Sequence, residues 1–201
     1  MALPDVEKAA FRTQARRQRL AISMARRDAA SRAACEYLIG SDLWSAISSI
    51  ALYAAYGSEI NPGLLEQQAI EDGKKVYYPR VLGDALEFAE STLVQLKVGY
   101  ASILEPITPA VTLSSIDLII VPGLSFGPKG QRLGSGRGFY DRTLNDNVLC
   151  VGMAYSEQIN AAVPTMPHDV RMKGILTDEG FLLSPPTLKL PTPSREEQDK
   201  D

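Results

Sequence analysis

The chain has 201 residues, of which 45% are hydrophobic and 22% are charged, and its formal net charge is −3. This length and composition predict one compact domain with a sizeable core. The small negative charge excludes a general electrostatic attraction to nucleic acid or anionic membranes, and no apolar run is long enough to span a bilayer. The first residues, which include Asp5 and Glu7, lack the apolar segment of a signal peptide.

The two cysteines, Cys35 and Cys150, are far apart in the sequence and show no metal-binding spacing. We expect both to be buried, reduced thiols, because free cysteines usually behave as small apolar side chains. Reduced thiols are typical of the cytosol, so we predict a cytoplasmic protein.

Residues 4–40 predict two helices, with Ser23 as the N-cap of the second helix and Gly40 at its end. Lys8 and Arg12 are four residues apart and therefore share one helix face. Arg16 and Arg19 continue along that face. From the residues alone, this face is a solvated basic surface, an RNA-binding surface or a phosphate-binding surface. The aromatic residues expected of an RNA-binding platform are missing.

The next segments alternate between strand and helix patterns. Residues 48–53 form an apolar strand, and residues 61–72 form a helix that begins at Asn61-Pro62. Residues 75–78 form a second strand, which we expect Pro79 to end. Glu59 lies in the turn between the first strand and this helix, where α/β folds place their sites. A capping or solvated role for Glu59 is the alternative.

Residues 121–144 form the most unusual stretch, with six glycines in the sequence VPGLSFGPKGQRLGSGRGFYDRTL. Residues 115–121 before it read as a buried strand, and residues 139–144 at its end read as a short helix. Glycines let backbone N–H groups approach anions, and arginines add forked donors. The stretch therefore predicts a phosphate site, although a flexible surface loop has a similar composition. It matches neither the Walker pattern nor the dinucleotide fingerprint.

Residues 148–155 predict another buried strand, interrupted at Gly152, and residues 173–177 predict the final strand. His168 is the only histidine. No serine or cysteine lies in a nucleophile-elbow context, so we interpret His168 as a loop residue beside Asp169 and not as a general base.

The string PGLSF followed by GQRLGSGRGFYDR closely resembles the signature of the 5-formyltetrahydrofolate cyclo-ligases, also called methenyltetrahydrofolate synthetases. The resemblance runs from about Lys8 to Gly180 and includes the spacing Lys8-x-x-x-Arg12 and the pair Glu157-Gln158. It implies a single three-layer α/β domain with a mostly parallel sheet and helices on both faces. The implied reaction is the ATP-dependent conversion of 5-formyltetrahydrofolate to 5,10-methenyltetrahydrofolate, with release of ADP and phosphate.

The resemblance also implies site residues. Magnesium is expected at Asp141 and Asp169, and the folate substrate at Ala54, Glu59 and Tyr140. We predict that Arg132 and Arg137 are catalytic, because phosphoryl transfer needs charge neutralisation more than a protein nucleophile. The ATP-binding residues are expected to be Lys8, Arg12, Arg132, Leu133, Gly134, Ser135, Gly136, Arg137, Gly138, Phe139 and Tyr140.

The chain departs from the family pattern at Ser135, at Phe139 and at Lys173, where an acidic residue is common. The change at Lys173 removes one possible metal ligand. Two other functions were weighed: a sugar-phosphate isomerase or CoA-transferase-like enzyme, and a noncatalytic nucleotide- or RNA-binding module. We predict a monomer that binds small molecules and neither nucleic acid nor membranes. The domain is expected to span residues 1–184, followed by a disordered tail over residues 185–201, which are rich in proline and charge.

Overall fold

The computed structural model describes residues 3–183, with side chains from Val6 onward. The predicted tail, residues 185–201, lies outside the described residues. The helices of the described chain are α1 (Leu3–Ala21), α2 (Met24–Ile39), α3 (Asp42–Ala46), α4 (Gly63–Glu71) and α5 (Phe139–Thr143). The strands are β1 (Ser49–Ala51), β2 (Lys75–Leu82), β3 (Ala85–Glu90), β4 (Lys97–Val98), β5 (Leu104–Glu105), β6 (Ala110–Val111), β7 (Leu118–Val121), β8 (Ser125–Phe126), β9 (Arg132–Leu133), β10 (Cys150–Met153), β11 (Gly174–Thr177) and β12 (Gly180–Leu183).

Eight strands form the central sheet, in the order β12-β11-β10-β7-β1-β2-β3-β6. The neighbours from β11 to β2 all pair in parallel, and β12, β3 and β6 pair antiparallel at the two edges. Central strands such as β7 and β10 are buried along their whole length, as expected of parallel strands covered on both faces. The predicted α/β class with a mostly parallel sheet is therefore confirmed.

The sheet separates two apolar layers. On one face, α2 and α4 contribute Leu38 and Leu65 to the larger core. On the other face, the core includes Phe88 and Phe126, with Tyr140 of α5 packed against it. Helices thus lie on both faces, but α5 is short, and loops cover much of the second face.

The helix boundaries at the amino end agree with the sequence. The Ser23 hydroxyl accepts a hydrogen bond from Arg26 N at 3.3 Å, and Gly40 is the C-cap of α2. Helix α4 begins one residue later than expected, because Pro62 is its N-cap. The side chain of Asn61 still caps the turn by accepting from Gly63 N at 2.9 Å.

The expectation that Pro79 ends the second strand is wrong. Strand β2 continues to Leu82, and Pro79 pairs with Phe88 of β3. The reason is that β2 pairs with β1 only as far as Tyr77. Beyond Tyr77, β2 pairs with β3 on one side and with no described strand on the other. Proline is tolerated there, because the unpaired side needs no backbone N–H donor.

The strand predicted at residues 173–177 is present as β11, but the expectation that it is the final strand is wrong. Strand β12 follows in an antiparallel hairpin, and Gly180, which has a φ of 107°, begins it. A second correction concerns Gly152, which does not interrupt its strand. It pairs with Val121 inside β10, and the Phe126 ring lies where a Cβ atom of residue 152 would be.

Cys35 and Cys150 are both buried and free, as expected. Burial raises the pKa of the Cys35 thiol to about 11, so the thiol stays protonated and unreactive at neutral pH. Among residues 3–183, no helix is both long and apolar enough to cross a membrane.

Candidate active site

A cavity of about 870 Å³ opens where the central parallel strands end. Tyr53 and Ala54, which follow β1, and Pro122 and Gly123, which follow β7, contribute to its wall. Helix α1 borders the same cavity through its basic face. Ligands of open α/β sheets bind at this edge, outside the carboxyl ends of the strands. The fold therefore places a large cavity where a site is expected.

The cavity brings together all the residues that the sequence singled out as candidate site residues. They come from α1, from the turn after β1, from the glycine-rich loop and from the segment before β11. Their assembly around one cavity makes a common site possible and leaves their individual roles as predictions. The residues are Lys8, Arg12, Ala54, Glu59, Arg132, Leu133, Gly134, Ser135, Gly136, Arg137, Gly138, Phe139, Tyr140, Asp141 and Asp169.

The glycine-rich loop is more ordered than its composition suggests. Strands β8 and β9 form a small hairpin inside it, which the sequence did not predict. Gly136 and Gly138 have φ values of 109° and 70°, which favour glycine, and Gly138 is the N-cap residue of α5. The loop therefore presents a sharply turned backbone at the cavity.

Arg132 is held rigidly at the base of the cavity and is only 6% exposed. Its Nη2 donates to Asp141 Oδ1 at 3.0 Å, and its guanidinium lies 5.3 Å from the centre of the Tyr140 ring. Its Nε is buried without a hydrogen-bond partner among the described residues. Buried donors are rarely left unpaired, so this atom is a candidate to meet an anionic ligand.

Arg137 is the opposite case, because its side chain is exposed. No side-chain hydrogen bond links Arg137 to another described residue, and its backbone oxygen accepts from Arg142 Nη2 at 2.6 Å. The loop thus offers one arginine fixed by the protein and one whose guanidinium is available to a ligand.

Two bonds connect α1 to this loop and to the segment before β11. Lys8 Nζ contacts Asp169 Oδ1 and Oδ2 at 2.8 and 2.6 Å, and Lys8 is 5% exposed. Arg12 Nε donates to the Gly134 oxygen at 3.3 Å. The basic face of α1 therefore faces the cavity and is not a solvated surface at these positions.

Glu59 is half-buried in the turn after β1 and lines the same cavity. Its Oε2 accepts from Tyr56 N at 3.1 Å, and its Oε1 lies 3.7 Å from Arg19 Nη1. Burial raises the pKa of Glu59 above its usual value, while the Tyr56 N–H and Arg19 oppose this shift. Burial likewise raises the pKa of Tyr140, so that its hydroxyl stays protonated and can donate a hydrogen bond.

Arg19 also lines the cavity, although the sequence analysis assigned no role to it. It follows Arg12 by seven positions and Arg16 by three, so the helical spacing that signals this face was visible. What could not be seen is that Arg19 lies in the cavity wall and contacts Ser58 and Glu59.

An apolar wall completes the cavity. The rings of Tyr100 and Phe139 meet edge to face, with centroids 5.6 Å apart, and Ile103 and Leu104 lie beside them. This wall gives the cavity an apolar part that suits a flat heterocycle.

Asp141 and Asp169 lie next to one another. Val170 N, which follows Asp169 in the chain, donates to Asp141 Oδ1 at 3.3 Å. Both oxygens of Asp169 accept from Lys8, whereas no hydrogen bond reaches Asp141 Oδ2 from the described residues. Within residues 3–183, no cluster of three or more His, Cys, Asp or Glu side chains is arranged to hold a metal. Two neighbouring carboxylates suit magnesium only when phosphate oxygens supply further ligands.

The cavity holds no nucleophile with a base beside it, as far as the described residues show. His168 lies in a loop, its side chain is 71% exposed, and its Nε2 is 3.8 Å from Asp169 Oδ1. Its interpretation as a loop residue is thus supported. Fixed and free arginines, a turned glycine backbone and an apolar pocket with a half-buried carboxylate are features suited to an α/β enzyme with a phosphorylated ligand and a heterocyclic one.

Comparison with known proteins agrees with this class. The model of the 5-formyltetrahydrofolate cyclo-ligase family matches residues 4–178. The chain is 31% identical over 141 residues to the 5-formyltetrahydrofolate cyclo-ligase of Mycolicibacterium smegmatis, covering 64% of this chain and 73% of that protein. It is 33% identical over 141 residues to that of Haemophilus influenzae, covering 64% and 74%.

Solved structures agree as well. The 5,10-methenyltetrahydrofolate synthetase of Aquifex aeolicus has a TM-score of 0.78 and 26% identity, covering 94% of this chain and 99% of that chain. The synthetase of Mycoplasma pneumoniae has a TM-score of 0.71 and 25% identity, covering 86% and 99%. The chain belongs to the 5-formyltetrahydrofolate cyclo-ligase family and has the ligase activity of folate one-carbon metabolism that defines it. The family and enzyme class predicted from the sequence are confirmed.

Proposed function

We propose that the protein converts 5-formyltetrahydrofolate to 5,10-methenyltetrahydrofolate at the cost of one ATP, with both substrates bound together in the cavity described above. The observation that supports this most is the meeting of the arginine–glycine loop and the Glu59 region around one space of about 870 Å³. That volume lies near the upper end for small-molecule sites and gives room for two ligands in contact.

The chemistry explains why ATP is needed. The formyl oxygen is a poor leaving group, so N10 cannot displace it directly. Transfer of the γ-phosphoryl group to this oxygen breaks the bond to ADP and forms an iminium phosphate. N10 then attacks the formyl carbon, phosphate leaves with the carbon–oxygen bond electrons, and N10 loses its proton. Such a transfer depends on positioning and charge stabilisation, which this cavity is built to give.

The triphosphate is proposed to bind residues 132–140 together with Lys8 and Arg12. Arg132 is pre-positioned by Asp141, and its Nε lacks a partner among the described residues, so it is suited to the transferring phosphoryl group. Arg137 is exposed beside it and can close on the same oxygens. Pre-positioned donors need no reorganisation during the reaction, which is why they favour the transition state.

The folate ring is proposed to lie between the apolar wall and Glu59, near Ala54 and Tyr140. A pterin presents neighbouring N–H donors, and a carboxylate accepts them well. The Tyr140 hydroxyl, protonated because of its burial, can donate to a substrate oxygen. This arrangement brings the folate beside the γ-phosphate end of the glycine-rich loop.

Asp141 and Asp169 are the residues proposed to hold magnesium. When bound, the ion would neutralise charge on the phosphate oxygens. Asp141 is the more available of the two, because Asp169 is engaged by Lys8. The absence of an acidic residue at position 173 limits the protein ligands to these two carboxylates.

The remaining proposals concern the setting of the reaction. We propose a monomer as the active unit, because one copy of the chain supplies every site residue that the sequence predicted. Lys8 and Arg12 face this cavity, which argues against an RNA-binding surface on α1. The two free, buried cysteines support a reducing compartment such as the cytoplasm.

The test is a coupled assay. The protein is incubated with ATP, magnesium and 5-formyltetrahydrofolate, methenyl product is followed by absorbance, and ADP is measured in the same samples. We expect equal amounts of product and ADP. Omission of ATP is the control, and product that forms equally fast without ATP would contradict the proposal.

A further inference from the structure

Arg19 is buried between the ends of two central strands. Its side chain is 11% exposed. Nε donates to Ser58 Oγ at 3.0 Å, in the turn after β1, and Nη1 donates to the Gly123 oxygen at 3.3 Å, just after β7. Nη1 also lies 3.7 Å from Glu59 Oε1. Arg19 therefore links α1 to both strand ends and lies against Glu59.

Glu59 is held at both carboxylate oxygens. Oε1 lies against Arg19, and Oε2 accepts from Tyr56 N at 3.1 Å. A long acidic side chain at the rim of a cavity would otherwise sample several rotamers, and ordering it on binding would weaken affinity. The two contacts keep the carboxylate in one orientation before any ligand arrives.

The titratable groups around Glu59 come from three elements. Arg19 approaches from α1, Tyr53 from the end of β1, and Tyr140 from α5, with Arg132 behind Tyr140. Burial raises the pKa of both tyrosines, so they are neutral at physiological pH. Burial also raises the pKa of Glu59, and Arg19 is the neighbouring positive charge that opposes this shift.

We infer that Arg19 is a positioning residue for folate recognition, which orients Glu59 so that its carboxylate accepts the N–H donors of the 2-amino-4-oxopterin ring. The inference rests on the proposed role of Glu59 in binding the substrate. Arg19 acts through Glu59 and not on the phosphates, because Ser58, Gly123 and Glu59 surround its guanidinium.

Substitution separates charge from shape. Arg19→Gln removes the charge, Arg19→Lys keeps it, and Arg17→Gln is the matched control, because Arg17 is exposed on the same helix and lies outside the cavity. We expect Arg19→Gln to raise KM for 5-formyltetrahydrofolate about tenfold, the loss expected for a charge-assisted contact. KM for ATP should change less than about twofold, and Arg19→Lys should recover much of the folate affinity.

Two further measurements distinguish positioning from general damage. In Arg19→Gln, KM for folate should begin to rise at a higher pH than in the wild type as the solution is acidified, because Glu59 takes up its proton earlier. A ¹³C NMR titration of the ligand-free protein, with the Glu59 signal assigned through Glu59→Gln, should show the pKa of Glu59 raised in Arg19→Gln. Circular dichroism confirms folding of each variant.

The outcomes separate this inference from the proposed function. If Glu59→Gln leaves KM for folate unchanged, the proposed role of Glu59 fails, whatever Arg19 does. If Glu59→Gln weakens folate binding while Arg19→Gln does not, or leaves the Glu59 titration unmoved, Arg19 does not position Glu59. Additive effects of the two substitutions in the double variant also overturn the inference, since residues that act as a unit are not additive.

Discussion

The ammonium of Lys8 and the carboxylate of Asp169 form a buried pair, with Nζ 2.6 Å from Oδ2, although 161 positions separate the two residues in the sequence. Met166 N donates to the same Oδ2 at 2.6 Å. The pair fastens the first helix to the loop before β11, next to the proposed phosphate site. Lys8 therefore has a task in holding the fold, and we propose that it has a second task in binding ATP.

Lys8→Ala tests both tasks. We expect KM for ATP to rise roughly tenfold or more, because a phosphate contact is lost. We also expect stability to fall by about 3 kcal/mol, because the Asp169 carboxylate stays buried without its cation. Steady-state kinetics and urea denaturation measure the two effects, and Arg17→Ala is the control. The double variant Lys8→Met with Asp169→Asn should regain stability but not ATP affinity. Unchanged KM for ATP in all variants would leave Lys8 with the structural task alone.

Arg132→Lys tests the fixed arginine of the loop. Lysine keeps the charge but loses the planar fork that meets Asp141, so we expect kcat to fall by about 10²-fold or more, the loss of one transition-state donor. Arg137→Lys, at the exposed position, should mainly raise KM for ATP. Steady-state kinetics measure both effects, and circular dichroism confirms that the variants fold. A wild-type kcat in Arg132→Lys would contradict a catalytic role for Arg132 and leave Arg137 as the catalytic arginine.

Gly136→Ala tests the turned backbone of the loop. Its φ of 109° disfavours any side chain, and a Cβ atom there would lie 3.4 Å from Arg12 Nε. We expect a marked rise in KM for ATP together with a stability loss of about 1 kcal/mol. Gly83→Ala is the control, since Gly83 has a φ of 62°, lies between β2 and β3 and does not line the cavity. Gly83→Ala should lower stability without changing KM for ATP. An equal rise in KM for ATP in both variants would contradict a local role for Gly136 in ATP binding.

Arg26→Ala tests a network outside the cavity. Arg26 binds Glu157 at 2.9 Å and Asp178 at 2.6 Å, which joins α2 to the segments after β10 and β11. Because the Arg26 side chain is 35% exposed, solvent screens its ion pairs. We therefore expect Arg26→Ala to lower the unfolding free energy by only about 1 kcal/mol. Both KM values should stay unchanged. Arg32→Ala, at an exposed position of the same helix, should lower the unfolding free energy less. Equal melting temperatures of the Arg26→Ala and Arg32→Ala variants would contradict the expectation.

The pH dependence of the unfolding free energy should show the contribution of Glu59. Because burial raises its folded-state pKa above the usual 4.5, the folded protein holds this proton more tightly than the unfolded chain. Its contribution to stability therefore decreases as the pH rises from 4.5 through the folded-state pKa. We expect Glu59→Gln to gain stability relative to the wild type over that range in urea denaturation. Glu36→Gln, at an exposed position, is the control, and parallel profiles for wild type and Glu59→Gln would contradict the prediction.

Much of the fold could be predicted from local patterns. The caps at Ser23 and Gly40, the buried strand around Ile119 and the helix after Gly138 depend on short-range signals, and the structure contains them all. Pro79 misled the prediction because its tolerance depends on which strand lies beside it, and that is a property of the assembled sheet.

For the candidate site too, some features could be predicted from local sequence and others could not. The loop residues around Arg132 could be found because they form one continuous string. The pairing of Arg19 with Glu59, and of Arg26 with Glu157, joins positions that no local pattern connects. Only the folded chain shows which of several similar arginines on a helix meets an acid, since all of them share the same helical spacing.

The order in which the chain is synthesised gives the position of α1 a further consequence. Arg19, Arg12 and Lys8 leave the ribosome first, but their partners Gly123, Gly134 and Asp169 follow only after more than a hundred further residues. Contacts of such high sequence separation form late in folding. The contacts of the first helix therefore form late, and a nascent chain interrupted before Asp169 cannot complete the proposed ATP site, even though all elements from α1 to β10 have already emerged.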